Sequence, residues 1–365
     1  MAKKIVLIAV NALCLIAFII CLSTSASIIN PLRSQQAARA WGGQSGERFA
    51  QVSVFFPETY MFSEDSLHSI HASIDKSLLA ISLEETPGRN LYTDAWSAFG
   101  EVSIADSRGP VSASVVGVGG DFFLFHPLYL RSGSYLSPND IMKDRVLIDE
   151  ELAWRLFGSS QLAGFEITIN DRPFTIAGVI SRESDFASSM AYTGGLGLFM
   201  SYEALYELTY GDARISNYEI VMPDPITGFA LNAVNEAFPD PVVHVVENST
   251  RFSLGNSFAA IGAFGERSMR TEAIEYPYWE NAARLVEDWL ALLLIFTLLF
   301  VAFPVVCGVV YSVKLIRLLL RQGKKAVKKA VKNYDDRKYE KYLLENYEDS
   351  GNYDVDDIIR EVKEG

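Results

Sequence analysis

Ser73-Ile74-Asp75-Lys76 has the S-x-x-K spacing in which a lysine near a serine helps remove the serine's proton before nucleophilic attack. Its surroundings argue against that chemistry. Leu67, Ile70, Ile74, Leu78 and Ile81 recur at three- and four-residue spacing, so residues 63–83 are predicted to form a helix with Ser73 and Lys76 on its polar face. A lysine in open water is protonated at neutral pH and makes a poor base. No K-T-G or S-D-N partner occurs in the chain. His68 and His71, three apart on the same helix, could share a metal if a third ligand came from elsewhere. The other histidines are His126 and His244, and 30–288 contains no cysteine, so a polar helix face is the expected reading of the pair. G-x-S-x-G, H-E-x-x-H and calcium-loop motifs are absent from the sequence. We expect no catalytic residues, no metal and no cofactor.

The elements around that helix mix strands and helices. Residues 49–56 read as a strand, Thr86-Pro87-Gly88 as a turn, and 102–105 and 111–118 as a pair of β-branched strands. Residues 145–148 form a short apolar strand running into Asp149-Glu150-Glu151 and a helix that Gly158 ends, with Phe157 expected to be buried. Strands at 165–169 and 174–180 flank the polar connection Asn170-Asp171-Arg172-Pro173; strands at 218–222 and 242–246 flank a helix at 226–238. Without regular β-α alternation or a glycine-rich nucleotide loop, this pattern predicts an α+β domain.

Two apolar runs bracket that domain. Residues 5–22 follow Lys3 and Lys4, and 289–313 precede Lys314, Arg317, Arg321, Lys324 and Lys325. About 20 apolar residues suffice to cross a bilayer as a helix. The positive-inside rule then puts both termini in the cytoplasm and the intervening residues outside. The expected organisation is a membrane helix in 1–29, an extracytoplasmic domain in 30–288, a second membrane helix in 289–313 and a cytoplasmic tail in 314–365. The first run also fits a cleaved signal peptide, with Ser23-Thr24-Ser25-Ala26-Ser27 as its small-residue stretch, although its length favours retention. All three cysteines, Cys14, Cys21 and Cys307, fall in the apolar runs, so the domain should fold without disulfides. A net charge of −13 argues against a nucleic-acid partner. The basic run 314–332 fits a cytoplasmic flank and is compatible with anionic lipid head groups. Asn11 and Pro304 inside the runs are either tolerated irregularities or points of helix packing.

Asp144-Arg145-Val146-Leu147-Ile148-Asp149-Glu150-Glu151-Leu152, with Gly164-Phe165-Glu166-Ile167 and Phe174-Thr175-Ile176-Ala177-Gly178-Val179-Ile180 after it, resembles the periplasmic core domain of MacB-type ABC transporter permeases. Upstream, Val116-Gly117-Val118-Gly119-Gly120-Asp121-Phe122-Phe123 and Leu130-Arg131-Ser132-Gly133-Ser134-Tyr135-Leu136 are similar to the same domain in order and spacing. Family members usually carry three further membrane helices after the domain, whereas a charged tail follows 289–313 here. The resemblance therefore implies a MacB-like extracytoplasmic domain on a reduced anchor, an accessory or truncated permease subunit of an ABC export or mechanotransmission system. It would need an ABC-type ATPase, since the sequence has no G-x-x-x-x-G-K-[ST] loop, and a multi-span permease subunit. The rival reading is a stand-alone membrane-anchored binding or sensor protein.

Two segments are candidate functional contacts. Tyr278, Trp279, Glu280 and Arg284 lie just outside the second apolar run, as an interfacial aromatic belt or as an element coupling the domain to the membrane helix. Lys314, Arg317, Arg321, Lys324 and Lys325 are the candidate cytoplasmic contact with the ATPase.

Overall fold

The computed structural model describes residues 2–43, 46–83, 90–192, 197–265, 270–271, 273–348 and 360. The turn expected at Thr86-Pro87-Gly88 lies outside the described residues, as does most of the chain beyond Glu348. In chain order the elements are α1 (Ala2–Ile29), α2 (Ala37–Gly42), β1 (Phe49–Phe55), α3 (Glu64–Ala80), β2 (Thr93–Ile104), β3 (Val111–Gly120), α4 (Phe122–Phe125), β4 (Tyr129–Gly133), β5 (Arg145–Asp149) and α5 (Glu150–Phe157). There follow β6 (Glu166–Ile169), β7 (Arg172–Ser181), α6 (Phe186–Ala191), β8 (Gly197–Ser201), α7 (Tyr202–Leu208), β9 (Ile215–Pro223), α8 (Phe229–Ala237), β10 (His244–Glu247), α9 (Leu254–Gly262), β11 (Arg270–Thr271), β12 (Ile274–Glu275) and α10 (Tyr278–Glu348).

The chain divides into two compact units, residues 17–298 and residues 1–16 with 299–365. Both α1 and α10 are long and apolar enough to cross a membrane. α10 runs through Pro304 and the basic residues 314–332 without a break. Asn11 turns its amide back on its own helix, Nδ2 donating to the Leu7 carbonyl at 2.8 Å, which satisfies a group that would be costly in hydrocarbon.

Within 17–298 one mixed sheet has the order β10-β1-β9-β2-β3-β8-β5-β7-β4, with β6 pairing with both β2 and β7. β3 and β8 are parallel, as are β5 and β7; the other pairings are antiparallel. Both faces of the sheet are covered, so alternate residues of one strand enter different cores. Val146 and Ile148 of β5, with Leu198 and Met200 of β8, join a large core that takes in Ile74 of α3 and Leu152 of α5. Leu147 and Phe199 point the other way, into a second core with Phe122, Phe125 and Trp279.

Local sequence explains most ends and turns. Asp149 caps α5 by accepting from the Leu152 amide at 2.6 Å, and Gly158 ends it at φ +67. The β6-β7 connection tightens to Asn170-Asp171, both at positive φ as a two-residue hairpin turn requires, and Pro173 joins the strand opposite Thr168. Glycine after glycine in 117–120 has a packing cause: a Cβ on Gly119 would lie 2.2 Å from the Trp96 ring, and Gly120, at φ +61, meets the Asp94 carbonyl.

Three expectations change. β2 begins at Thr93, well before 102, because its polar residues find partners across the fold: Ser97 Oγ donates to Asn217 Oδ1 at 2.6 Å and Trp96 Nε1 to Glu64 Oε1 at 3.1 Å. Phe157 is 39% exposed rather than buried, since it sits at the edge of the stripe formed by Leu152, Ala153 and Leu156, where it meets Phe165 edge-on. His71 is not a free polar-face residue. Its Nε2 meets Asp94 Oδ2 at 2.6 Å, and the same oxygen accepts from the Tyr218 hydroxyl at 2.9 Å, pinning α3 to the sheet. The Asp94 hydrogen bond raises the His71 pKa against the effect of partial burial, so this clamp is complete below about 6.5 and is lost as pH rises through the higher folded value. His68 and Lys76 are exposed, and the described residues hold no cluster fit for a metal.

Leu152→Ala should lower stability by about 2–5 kcal/mol, whereas Phe157→Ala should cost only about 1 kcal/mol; chemical denaturation of the two variants checks the order.

Candidate functional site

The root of α10 is built into the domain. Pro277 cannot donate a backbone hydrogen bond, and its carbonyl accepts from the amides of Glu280 and Asn281, both at 3.0 Å, which starts the helix. Asn281 Nδ2 donates to the Tyr276 carbonyl at 2.9 Å and fixes the entry of the chain.

Tyr278 and Trp279 anchor the first turn. Tyr278 stacks on Tyr192 with ring centroids 4.2 Å apart, and its hydroxyl donates to Glu183 Oε2 at 3.1 Å. Trp279, 2% exposed, enters the second core against Phe122 and 4.3 Å from the His126 ring. A membrane-surface belt would leave such rings at the protein boundary; Trp279 belongs to the domain's interior and Tyr278 is half-buried against it. Trp289, further along α10, is 41% exposed.

Beneath Trp279 lies a polar layer. His126 Nε2 meets Glu219 Oε2 at 2.5 Å, and Glu219 Oε1 accepts from Ser53 Oγ, which accepts from Asn248 Nδ2 at 2.6 Å. Gln51 ties this layer to the chain leaving α1, its Nε2 donating to the Ser34 carbonyl at 2.7 Å and its Oε1 accepting from the Ala37 amide at 3.0 Å.

The centre of the joint is ionic. Arg251, in the loop between β10 and α9, grips Glu280 through both guanidinium nitrogens at 2.6 and 2.7 Å, and its Nε reaches Glu287 at 2.5 Å. Arg284 Nε donates to Glu280 Oε1 at 2.7 Å from one turn further along α10, while its guanidinium lies 3.5 Å over the Tyr276 ring. Arg251 also donates to Gln35 Oε1 at 3.3 Å, so one side chain holds both the root of α10 and the segment after α1. Beside it, Ile28, Ile29 and Leu32 pack with Ala282, Ala283, Val286 and Leu290. The two helices are bound together where they join the domain.

Burial alone would raise the Glu280 pKa, but Arg251 and then Arg284 outweigh it and hold the carboxyl below its usual range. Burial likewise opposes the Arg251 charge, and Glu280 and Glu287 more than restore it. A lowered acid stabilises the fold above its unfolded pKa near 4.5, and that contribution fades as pH falls through the folded value.

Tyr278, Trp279, Glu280 and Arg284, singled out in sequence, thus converge on one joint. Lys314, Arg317, Arg321, Lys324 and Lys325 lie exposed along α10 and belong to the other unit. Arg251 and Gln35 escaped the sequence reading. One signal was present: Arg251 is the lone Lys or Arg between Arg214 and Arg267, and Glu280, Arg284 and Glu287 repeat at helical spacing on one face.

A model of the MacB-like periplasmic core domain matches residues 12–240. The chain belongs to this family. Over 117 residues it is 30% identical to the macrolide export ATP-binding/permease protein MacB of Chromobacterium violaceum, a match covering 31% of this chain and 17% of that protein. With MacB of Neisseria gonorrhoeae it shares 28% over 117 residues, covering 31% and 18%. The matched part is less than a fifth of either relative. Among solved structures, the periplasmic region of MacB from Actinobacillus actinomycetemcomitans aligns at 18% identity and a TM-score of 0.39, over 55% of this chain and 89% of that one. The extracellular domain of the noncanonic ABC-type transporter YknZ from Gram-positive bacteria aligns at 15% and 0.36, over 54% and 99%. By the family match, the chain carries a MacB-like periplasmic core domain, here of mixed α and β structure, with two helices long and apolar enough to cross a membrane.

Glu280→Leu and Arg251→Met should each destabilise the fold by about 3–5 kcal/mol, because each removes one side of a buried ion pair, while the two changes combined should cost clearly less than their sum. Unfolding followed at neutral and acid pH checks both points, and Glu280→Gln should also remove part of the loss of stability below pH 4.5.

Proposed function

We propose that this chain is a non-enzymatic subunit of an ABC-type export or mechanotransmission assembly, and that the joint at 278–287 transmits movement between α10 and the extracytoplasmic domain. The observation that carries the reading is the continuity of α10 from Glu280, buried in the domain, to the basic residues beyond 314. A shift of this helix acts on the domain through buried ion pairs and the Trp279 anchor rather than through a slack linker. Family membership supports an ABC context, since the curated relatives are ATP-binding/permease proteins. The ATPase and a multi-span permease would be partners, and Lys314, Arg317, Arg321, Lys324 and Lys325 their cytoplasmic contact. The basic flanks of both apolar helices support cytoplasmic termini.

A second reading, a stand-alone binding or sensor protein, is favoured by one feature: a cavity of about 470 Å³ beside the joint, walled by Asp149, Arg182, Tyr192, Tyr276 and Tyr278. A ligand there would touch the same tyrosines that hold α10.

Purification of the full chain in mild detergent from crosslinked native membranes should recover an ABC-type ATPase, and deletion of residues 333–365 should weaken that recovery without affecting insertion. Recovery of no ATPase, under conditions that retain other transporter complexes, favours the sensor. On topology, cysteines introduced at Ser107 or Asn235 should react with an impermeant thiol reagent in intact cells, whereas one at Asn352, outside the described residues, should react only after lysis.

A further inference from the structure

Two short helices beside the root of α10 are turned the wrong way round for a protein in water. In α9 the small residues Ser257 and Ala260 face inward, while Leu254 is 72% and Phe258 52% exposed. At 100° per residue Leu254, Phe258 and the half-buried Ile261 share one stripe, and the polar Asn256 lies roughly opposite. In α6 the pattern repeats. Ala187, Ser188 and Ala191 are buried, while Phe186 is 49% and Met190 60% exposed. Neither arrangement follows from packing the domain's own core, which would have taken the large side chains and left the small ones outside.

Their position supplies the reason. Arg251, three residues before α9, is paired with Glu287 at 2.5 Å. Phe186 of α6 meets Trp289 edge-on, with ring centroids 5.7 Å apart, and Ala187 and Ala191 pack with Val286 and Leu290. α6 and the loop leading into α9 are therefore tied to α10 between residues 286 and 290, where Glu287 and Asp288 give way to the apolar run beginning Trp289-Leu290-Ala291-Leu292. That change of composition marks where α10 enters the hydrocarbon, with Trp289 at the interface level that tryptophan favours.

We propose that Leu254 and Phe258 of α9, with Phe186 and Met190 of α6, form an apolar collar that rests in the outer face of the lipid bilayer. The occupant is lipid, by continuity with the membrane surface that α10 already defines. Short helices with large apolar residues on one side and small or polar ones on the other bind in the plane of such an interface. The collar would set the height and tilt of the domain on the membrane, so a displacement of α10 moves the domain against a lipid seat. This goes beyond the transport reading and holds equally for a stand-alone sensor.

Single nitroxide labels at Leu254, Phe258, Met190 and Asn256 test it, in the full chain with Cys14, Cys21 and Cys307 replaced by alanine, reconstituted into phosphatidylcholine/phosphatidylglycerol bilayers. Collisions with dissolved oxygen should exceed those with a water-soluble nickel chelate at 254, 258 and 190, and the ratio should invert at 256 on the same helix. Nickel-dominated collisions at 254 and 258, as at 256, would overturn the proposal. Protection of 254 and 258 from both reagents would also overturn it, by showing a protein on this face. The labelled positions are exposed, and unchanged thermal unfolding of each labelled chain confirms that the collisions report the native fold.

Discussion

The grip of Arg251 on Glu280 is the contact that holds the first turns of α10 and, through Gln35, the segment after α1 within the domain. Two guanidinium hydrogen bonds to a buried carboxylate, a third to Glu287 and a second arginine from the next turn of α10 leave every charge in the cluster with a counter-charge. Such a cluster adds little net stability over apolar packing of the same volume, because desolvation consumes most of the attraction. What it supplies is geometry. A bidentate arginine donates to its carboxylate in few orientations, and so fixes the first turns of α10, 278–287, against the loop that carries Arg251.

The sheet makes that fixation possible by being covered on both faces. One face is filled with aliphatic and aromatic side chains from α3, α5, α7 and α8. The other carries the Trp279 core and, beside it, the hydrogen-bonded layer of Gln51, Ser53, His126, Glu219 and Asn248. His126 Nδ1 and Asn248 Oδ1 are buried without a partner, but the hydrogen bonds that Gln51, Ser53, Glu219 and Asn248 do make restrict the positions of the segments they hold. Those segments are the chain after α1, the loop leading to Arg251 and the first turn of α10. The layer is thus the mould in which the joint is cast.

In the proposed reading, the contacts at residues 278–287 carry a displacement of this part of α10 into the domain. The aromatic contacts suit this role, since the Tyr278-Tyr192 stack and the Trp279 anchor flank the ion cluster and resist rotation about the helix axis. The cavity walled by Tyr276, Tyr278 and Tyr192 lies against the same contacts, so occupancy of the cavity and the set of α10 would be linked through shared side chains.

The sequence by itself determined the parts whose cause is local. The apolar runs, the period of α3, the Asp149 cap and Gly158 stop of α5, the short apolar β5 and the β6-β7 hairpin follow from residues within a few positions of one another, as did the family resemblance carried by 144–180. It also marked Tyr278, Trp279, Glu280 and Arg284 as worth watching, though it left open whether they met lipid or protein. Tertiary structure decided that, because Trp279 is buried by Phe122 and His126, far away in sequence. The start of β2 at Thr93, the exposure of Phe157 and the His71-Asp94-Tyr218 clamp were likewise settled by partners across the sheet. Arg251 is the sharpest case: nothing in Asn248-Ser249-Thr250-Arg251 distinguishes a surface loop cation from a buried one. A charge can be buried only where its counter-charges also arrive, and Glu280 and Glu287 are brought to Arg251 by the fold alone.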